Sequence, residues 1–68
     1  MYLYEVIQTT VLDEVSQAYQ TYGIKIGETE IHDISLSYEK IDTFRNLLNR
    51  HQLSPIHIYE AVEDLLAE

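Results

Sequence analysis

The hydrophobic and polar residues in the first half of the chain alternate in the way that is typical of β-strands. From Tyr2 to Leu12 the chain is rich in Tyr, Val, Ile and Thr, which are the residue types that favour strands. The segment "AYQTYGIKI" resumes this pattern after an interruption at Asp13 and Glu14. The pattern therefore predicts an antiparallel hairpin whose turn begins at these two acids.

Both faces of this predicted hairpin carry apolar side chains. In the first strand, strict alternation places Tyr2, Tyr4 and Val6 on one face and Leu3, Ile7 and Val11 on the other. In the second strand, it places Tyr22, Ile24 and Ile26 on one face and Tyr19, Gly23 and Lys25 on the other. Antiparallel sheets commonly pack one face on the core and leave the other to solvent. We expect one face to pack on helices and the other to be partly exposed or covered by a partner.

A second turn and a third strand follow in "IGETEI". Gly27 and Glu28 lie between two short apolar segments and are suited to a two-residue hairpin loop, since Gly readily adopts positive φ. The third strand is predicted from about Thr29 to Ser35. The period then changes near "SLSYEK", where Ser37 is the predicted N-cap of a helix and Ser35 is a competing cap.

The second half of the chain has the apolar spacing of two amphipathic helices. Ser54 followed by Pro55 predicts the N-cap and first position of the second helix. The predicted core positions are Ile41, Phe44, Leu47 and Leu48 in the helix over residues 38–50, and Ile58, Tyr59, Val62, Leu65 and Leu66 in the helix over residues 55–67. A short connector makes antiparallel neighbours. The sequence therefore predicts one α+β domain over residues 1–68, a three-stranded antiparallel β-sheet (meander) packed against a C-terminal two-helix hairpin in the order β-β-β-α-α.

Length and composition limit how such a domain is stabilised. The chain has 68 residues, no Cys and 46% hydrophobic residues, which is too apolar for a disordered chain. So small a domain has a marginal core and here has no disulfide to reinforce it. Packing or self-association as a homodimer must supply the stability.

The charge of the chain selects among classes of partner. Twelve acids against four bases give a formal net charge of −8, which opposes direct binding to nucleic acid or to an anionic membrane. The expected partner is another protein with a basic or neutral surface. The first residues carry no basic segment and include Glu5 within the apolar run, so we expect a cytoplasmic protein without a signal peptide.

The last helix carries the clearest candidate binding surface. Its polar stripe consists of His57, Glu60, Asp64 and Glu68, with Glu63 beside it, and residues 51–68 contain no Lys or Arg. Acids in the last turn oppose the helix dipole, at a cost of about 0.3 to 1 kcal/mol each before screening. A small domain can bear that cost, so the stripe is either a recognition surface or merely a solvated face.

The tyrosines are a second candidate surface, because Tyr is enriched at protein interfaces. Tyr4, Tyr19 and Tyr22, together with Tyr38, are the residues predicted to form such a patch. The alternative is that Tyr simply favours strands and half-buried positions.

Catalytic and metal chemistry have little support. Ser54 and His57 have the spacing of a cap and a helical residue rather than of a nucleophile and its base. One His with acids on the same helix face is a weak zinc signal, because a zinc site normally adds another His or Cys. We therefore assign no catalytic residue, no metal ligand and no cofactor.

Three segments resemble a known family. They are "TYGI" at 21–24, "IHDIS" at 31–35 and "LSPIHIYEAVEDLL" at 53–66, and they are similar to the landmarks of short uncharacterised bacterial proteins of clostridial type that form a domain of unknown function. The usual pattern of that family has Leu after the His and Asp-Val-Val-Glu-Asp-Phe beyond it, from which Ile58, Glu60, Ala61 and Leu65 depart. The landmark positions are Tyr22, Gly23, Asp33, Ser35, Pro55, His57, Glu63 and Asp64. The resemblance implies a small α+β protein with no known activity, and it transfers no catalytic residue.

Two hypotheses on function follow from the sequence. The first is a small acidic, non-enzymatic module that binds another protein through the last helix or the tyrosine-bearing sheet face. The alternative is an inhibitor encoded by a phage or mobile element, of the anti-defence or anti-CRISPR type, which mimics nucleic-acid charge and blocks a basic groove on a bacterial protein.

Overall fold

The computed structural model describes all of residues 1–68 and has three strands followed by two helices. The elements are β1 (Tyr4–Leu12), β2 (Ala18–Ile26), β3 (Thr29–Ser35), α1 (Tyr38–His51), a 3-10 turn (Pro55–His57) and α2 (Ile58–Leu66). The strands form one antiparallel sheet in the order β1-β2-β3. The predicted α+β fold and its element order are confirmed.

The pairing of β1 with β2 confirms which side chains share a face. Tyr4 lies opposite Ile26 and Val6 lies opposite Ile24. Tyr4 and Ile24 are buried, and Val6 and Ile26 pack against the same core. The face predicted from the alternation of Tyr4 and Val6 is therefore the one that packs on the helices.

A bulge interrupts the pairing of β2 with β3 at Gly23. Tyr22 pairs with Ser35 whereas Ile24 pairs with Ile31, so the two strands lose register between these positions. A Cβ on Gly23 would lie 2.0 Å from the carbonyl oxygen of Ile31. Gly23, which has no Cβ, therefore permits the close approach of the two backbones at the bulge.

The core is small and joins all the elements. Its fully enclosed centre contains Tyr4, whose hydroxyl donates a hydrogen bond of 2.7 Å to the carbonyl oxygen of Leu53 in the connector between the helices. Burial raises the pKa of the Tyr4 phenol, and the neighbouring Tyr2 adds to the rise. The buried apolar residues are Tyr4, Ile24, Ile34, Ile41, Phe44, Leu48, Ile58, Val62 and Leu65.

Side-chain amides at the end of α1 bind the start of β1. Asn49 Oδ1 accepts a hydrogen bond of 2.7 Å from the Tyr4 N–H, and Asn49 Nδ2 donates one of 3.1 Å to the Tyr4 carbonyl oxygen. Gln52 makes the equivalent pair with Tyr2, at 2.8 and 2.9 Å. These amide bridges occupy the position of a neighbouring strand and fix α1 to the edge of the sheet.

The helices present a narrower buried face than the sequence predicts. Leu47, Tyr59 and Leu66 were expected in the core, but they are 43%, 61% and 58% exposed. The sheet has only three strands, and the backbone of α1 covers it while that of α2 stays farther away. One row of side chains on each helix therefore suffices to fill the core.

Neither helix has both the length and the hydropathy that crossing a bilayer requires.

The two predicted serine caps differ in the structure. Ser37 accepts a hydrogen bond of 3.2 Å from the Lys40 N–H, which confirms it as the N-cap of α1. Ser54 is extended but makes no side-chain cap bond, because Pro55–His57 form a 3-10 turn ahead of α2. Ser54 is therefore the N-cap of the 3-10 turn, with Pro55 in its first turn as predicted. It makes no side-chain bond there, and α2 begins at Ile58 rather than Pro55.

This difference predicts unequal effects of the same substitution. Ser37→Ala is expected to lower the free energy of unfolding by about 1 kcal/mol, because the Lys40 N–H loses its cap. Ser54→Ala is expected to change it by less than about 0.5 kcal/mol. Urea unfolding followed by circular dichroism measures both values, and equal losses in the two variants would contradict the assignment of the caps.

Candidate functional site

An open groove runs between the two helices on the surface of the domain. Its volume is about 360 Å³, and it is the one cavity of appreciable size in the structure. The lining residues are Lys40, Thr43, Phe44 and Leu47 from α1, Ala61, Asp64 and Leu65 from α2, and Glu68 just beyond the end of α2. Each set recurs at spacings of three and four residues, so the groove lies between two facing helix ridges.

The floor of the groove is apolar. Phe44 and Leu65 belong to the core and reach its surface here, and Ala61 packs beside them. Leu47 forms part of the wall and is 43% exposed. A leucine that remains this exposed beside a concave apolar surface gains free energy when a partner covers it.

The rim of the groove is mainly acidic. Asp64 and Glu68 lie on the α2 side and neither makes an ion pair within the chain. Lys40 is the only base among the lining residues. The groove therefore combines an apolar floor with carboxylates that have no internal cationic partner.

In the structure, only some residues of the predicted acidic stripe lie at the groove. Its residues are all exposed, but only Asp64 and Glu68 line the groove. His57 Nδ1 lies 3.7 Å from Glu60 Oε2 farther along the helix, and Glu63 is exposed outside the groove. No group of three or more His, Asp or Glu residues is placed to hold one metal ion.

The predicted tyrosine patch does not form a single surface. Tyr4 is fully buried, so it cannot contact a partner at an exposed face, and that part of the prediction is wrong. Tyr22 lies on the helix-covered face and packs edge-to-face on Tyr38, with ring centroids 5.4 Å apart. Tyr19 is 40% exposed on the opposite face of the sheet. Only Tyr19 of the predicted set faces solvent away from the helices.

The structure assembles a polar cluster that sequence reasoning missed. His32 Nδ1 lies 2.7 Å from Thr9 Oγ1, and His32 Nε2 lies 2.9 Å from Glu30 Oε1. The spacing of Glu30 and His32 on β3 indicates a shared face, but the contact with Thr9 crosses from β3 to β1 and has no local sequence signal. These three side chains hold a carboxylate, an imidazole and a hydroxyl in line, yet none of them borders the groove.

The groove residues of α1 were also missed as functional candidates. The sequence pattern assigns Leu47 to the core and gives Lys40 and Thr43 no role. Their only sequence signal is the recurrence of 40, 43, 44 and 47 on one helix face, which every amphipathic helix shows. The facing ridge on α2 becomes visible only when the two helices are placed together.

Comparison with known proteins places the chain in a family. No curated protein and no solved structure matches it. The model of a family of unknown function, DUF6514, matches residues 1–68. The chain therefore belongs to DUF6514, a family whose function is unknown.

Proposed function

We propose that this protein is a non-enzymatic binding module that accommodates a positively charged, amphipathic segment of another protein in the groove between α1 and α2. The observation that supports it is the apolar floor of that groove beside carboxylates with no internal ion pair. Such a surface matches a helix or peptide that carries apolar and basic residues together.

The apolar part of the groove supports a protein partner. Phe44, Leu47 and Leu65 offer contact area that gains about 25 cal/mol for each Å² removed from water. A nucleic-acid backbone gains little from such a floor, and the net charge of −8 repels it. An anionic membrane is disfavoured for the same electrostatic reason.

The charges on the rim support a basic partner. Asp64 and Glu68 stand beside the apolar floor, and Glu60 and Glu63 extend the acidic surface of α2. Complementary charges of this kind accelerate encounter and fix the orientation of the bound segment. The lining includes no His, and its only hydroxyl is that of Thr43, which supports binding rather than catalysis.

A designed helical peptide with Leu on one face and Lys on the other tests this proposal. We expect it to bind, and a matched peptide with Glu in place of Lys not to bind, as measured by fluorescence anisotropy. Asp64→Asn combined with Glu68→Gln should weaken binding by about tenfold, which corresponds to about 1.4 kcal/mol. Glu14→Gln combined with Glu28→Gln removes the same charge outside the groove and should leave affinity within about twofold.

The contribution of the apolar floor to peptide binding is tested with substitutions of two exposed leucines. Leu47→Ala should weaken peptide binding by about tenfold, whereas Leu36→Ala, which is outside the groove, should not. The thermal midpoints report that both variants fold. Equal affinities of the charge pair and its control, or of the two leucine variants, would refute the proposal.

The nucleic-acid-mimic alternative makes a different prediction. It is favoured by the exposure of Glu60, Glu63 and Asp64 on α2 and of Glu68 just beyond its end. An inhibitor of that type would occupy a basic groove on a protein of bacterial defence, and its affinity would fall steeply with salt. It would depend on all of these carboxylates and not on Leu47, so the leucine variants distinguish the two functions.

A further inference from the structure

Strand β1 forms one edge of the sheet, and its outward backbone groups can be identified. The N–H and carbonyl of Tyr4 bind Asn49, so they point away from β2. Direction alternates along an antiparallel strand, and the Asp13 N–H still bonds to Gln17 across the hairpin, at 3.0 Å. The backbone groups of the even-numbered residues Val6, Gln8, Thr10 and Leu12 therefore point outward.

No hydrogen bond within the chain occupies the outward backbone groups from Val6 to Leu12. The amide bridges reach Tyr2 and Tyr4 and end there. Proteins usually protect an edge with Pro, Lys, a bulge or a short strand. β1 has nine residues, regular pairing with β2, and neither Pro nor Lys. The segment from Val6 to Leu12 is therefore an open template for another strand.

The distribution of charge along β1 determines which kind of partner strand can pair with this edge. Residues 6–12 contain no charged side chain, although the segment lies between Glu5 and Asp13 in a chain of net charge −8. Two copies of an acidic chain repel each other over most of their surfaces. An uncharged segment with unpaired backbone groups is where they can meet with no carboxylate inside the paired segment.

The shape of the monomer adds a second argument. Its accessible surface is 4870 Å², compared with about 4,450 Å² expected for a compact chain of 8.0 kDa. The radius of gyration is 12.5 Å, compared with about 11 Å for a compact domain of this length. At the far end of β1, Leu12 and Val15 are 67% and 73% exposed. The end of the hairpin thus exposes apolar surface beside the open edge.

We propose that β1 pairs antiparallel with β1 of a second copy of this chain about a twofold axis at Thr9. The facing pairs are Val6 with Leu12, Ile7 with Val11, Gln8 with Thr10, and Thr9 with Thr9 of the second copy. Every outward N–H and carbonyl from Val6 to Leu12 then gains a partner. Each of these facing pairs is uncharged, and the β-branched pair of Ile7 with Val11 is of a kind that stabilises sheets. Just beyond them, Glu5 of each copy lies opposite Asp13 of the other, where both carboxylates are exposed and salt screens their repulsion.

Other registers of the β1–β1 pairing leave some outward backbone groups without a partner. A shift of two residues in one direction places Leu12 opposite Tyr4, whose outward groups already bind Asn49. The opposite shift places Val6 opposite Glu14, beyond the end of β1. A shift by one residue would set outward groups against inward ones. Only the register centred on Thr9 uses the whole open edge.

Sedimentation equilibrium of three proteins tests the dimer. For the wild type we expect the mass to rise from 8.0 kDa towards twice that value as concentration rises between about 1 μM and 1 mM. Thr10→Pro removes an outward N–H without breaking the β1–β2 ladder and should remain monomeric. Thr10→Val keeps the N–H and should dimerise. A monomeric wild type, or a Thr10→Pro protein that folds and still dimerises, would overturn the proposal.

Cysteine cross-linking tests the register independently, because the natural chain has no Cys. In the proposed pairing the two copies of residue 9 face each other with Cα atoms about 4.5 Å apart, which a disulfide can bridge. Thr9→Cys should therefore form an interchain disulfide on mild oxidation. Ile7→Cys should not, since its two copies lie about 13 Å apart. Equal cross-linking of the two variants, or none in either, would refute the register. Pairing of this edge with a peptide from another protein, instead of with a second copy of the chain, would refute it as well.

Discussion

Gly23→Ala is expected to lower the free energy of unfolding by about 3 kcal/mol or more. The added Cβ would lie 2.0 Å from the carbonyl oxygen of Ile31 and 3.0 Å from His32 Cα. Both atoms belong to the backbone, so rotation of a side chain cannot relieve the clash. Relief requires β3 to move away from β2, which disrupts the pairing on either side of the bulge.

A loss of this size consumes most of the stability of a small domain, which is about 3 to 5 kcal/mol. We therefore expect a largely unfolded Gly23→Ala protein in circular dichroism at 25 °C. Gly27→Ala is the matched control, because Gly27 has φ of 58° but no atom within 4 Å of the added Cβ. It should cost about 1 kcal/mol through backbone strain alone. A Gly23→Ala protein as stable as this control would contradict the structure of the bulge.

The elements of this fold were predictable from local patterns. The predicted segment "AYQTYGIKI" is β2, since β-branched and aromatic residues end abruptly at the turn residues on either side. The loop at Gly27 and the cap at Ser37 were also identified correctly. Each of these features depends on chemistry within a few residues, which a single sequence contains.

The features that the sequence did not reveal depend on how the elements meet. The contact of Thr9 with His32 joins β1 to β3 across the intervening strand β2, beside the bulge at Gly23. Exposure of Leu47 and Tyr59 depends on how the two helices are placed on the sheet, although periodicity assigns both to an apolar arc. Tyr4 was assigned to the correct face, but the alternation did not show that this position is fully enclosed.

The two proposed interfaces use different parts of the molecule. None of the groove residues belongs to β1, and the residues of the open edge do not line the groove. A dimer through β1 would therefore present two grooves and bind a partner with repeated basic segments more tightly than one copy would. The Thr10→Pro variant separates these effects, because it should retain affinity for a single peptide while losing the gain from two.

Asn49→Ala is expected to lower the free energy of unfolding by about 2 to 4 kcal/mol. The amide of Asn49 satisfies both the N–H and the carbonyl of Tyr4, a residue that is fully buried. Removing it leaves a donor and an acceptor without protein partners, at about 1 to 3 kcal/mol for each group that water does not reach. The substitution should also loosen α1 from the sheet, because this amide joins the two.

Gln52→Ala is the control for this prediction, because Gln52 makes the same pair of hydrogen bonds to the exposed Tyr2. Water can replace those bonds, so the expected loss is below about 1 kcal/mol. Asn49→Asp separates the two bonds of Asn49, since it can still accept from the Tyr4 N–H but sets a carboxylate against the Tyr4 carbonyl. In urea unfolding, Gln52→Ala should lose the least free energy of unfolding, and both Asn49 variants should lose considerably more. Equal losses at 49 and 52 would show that burial does not strengthen the Asn49 bridge.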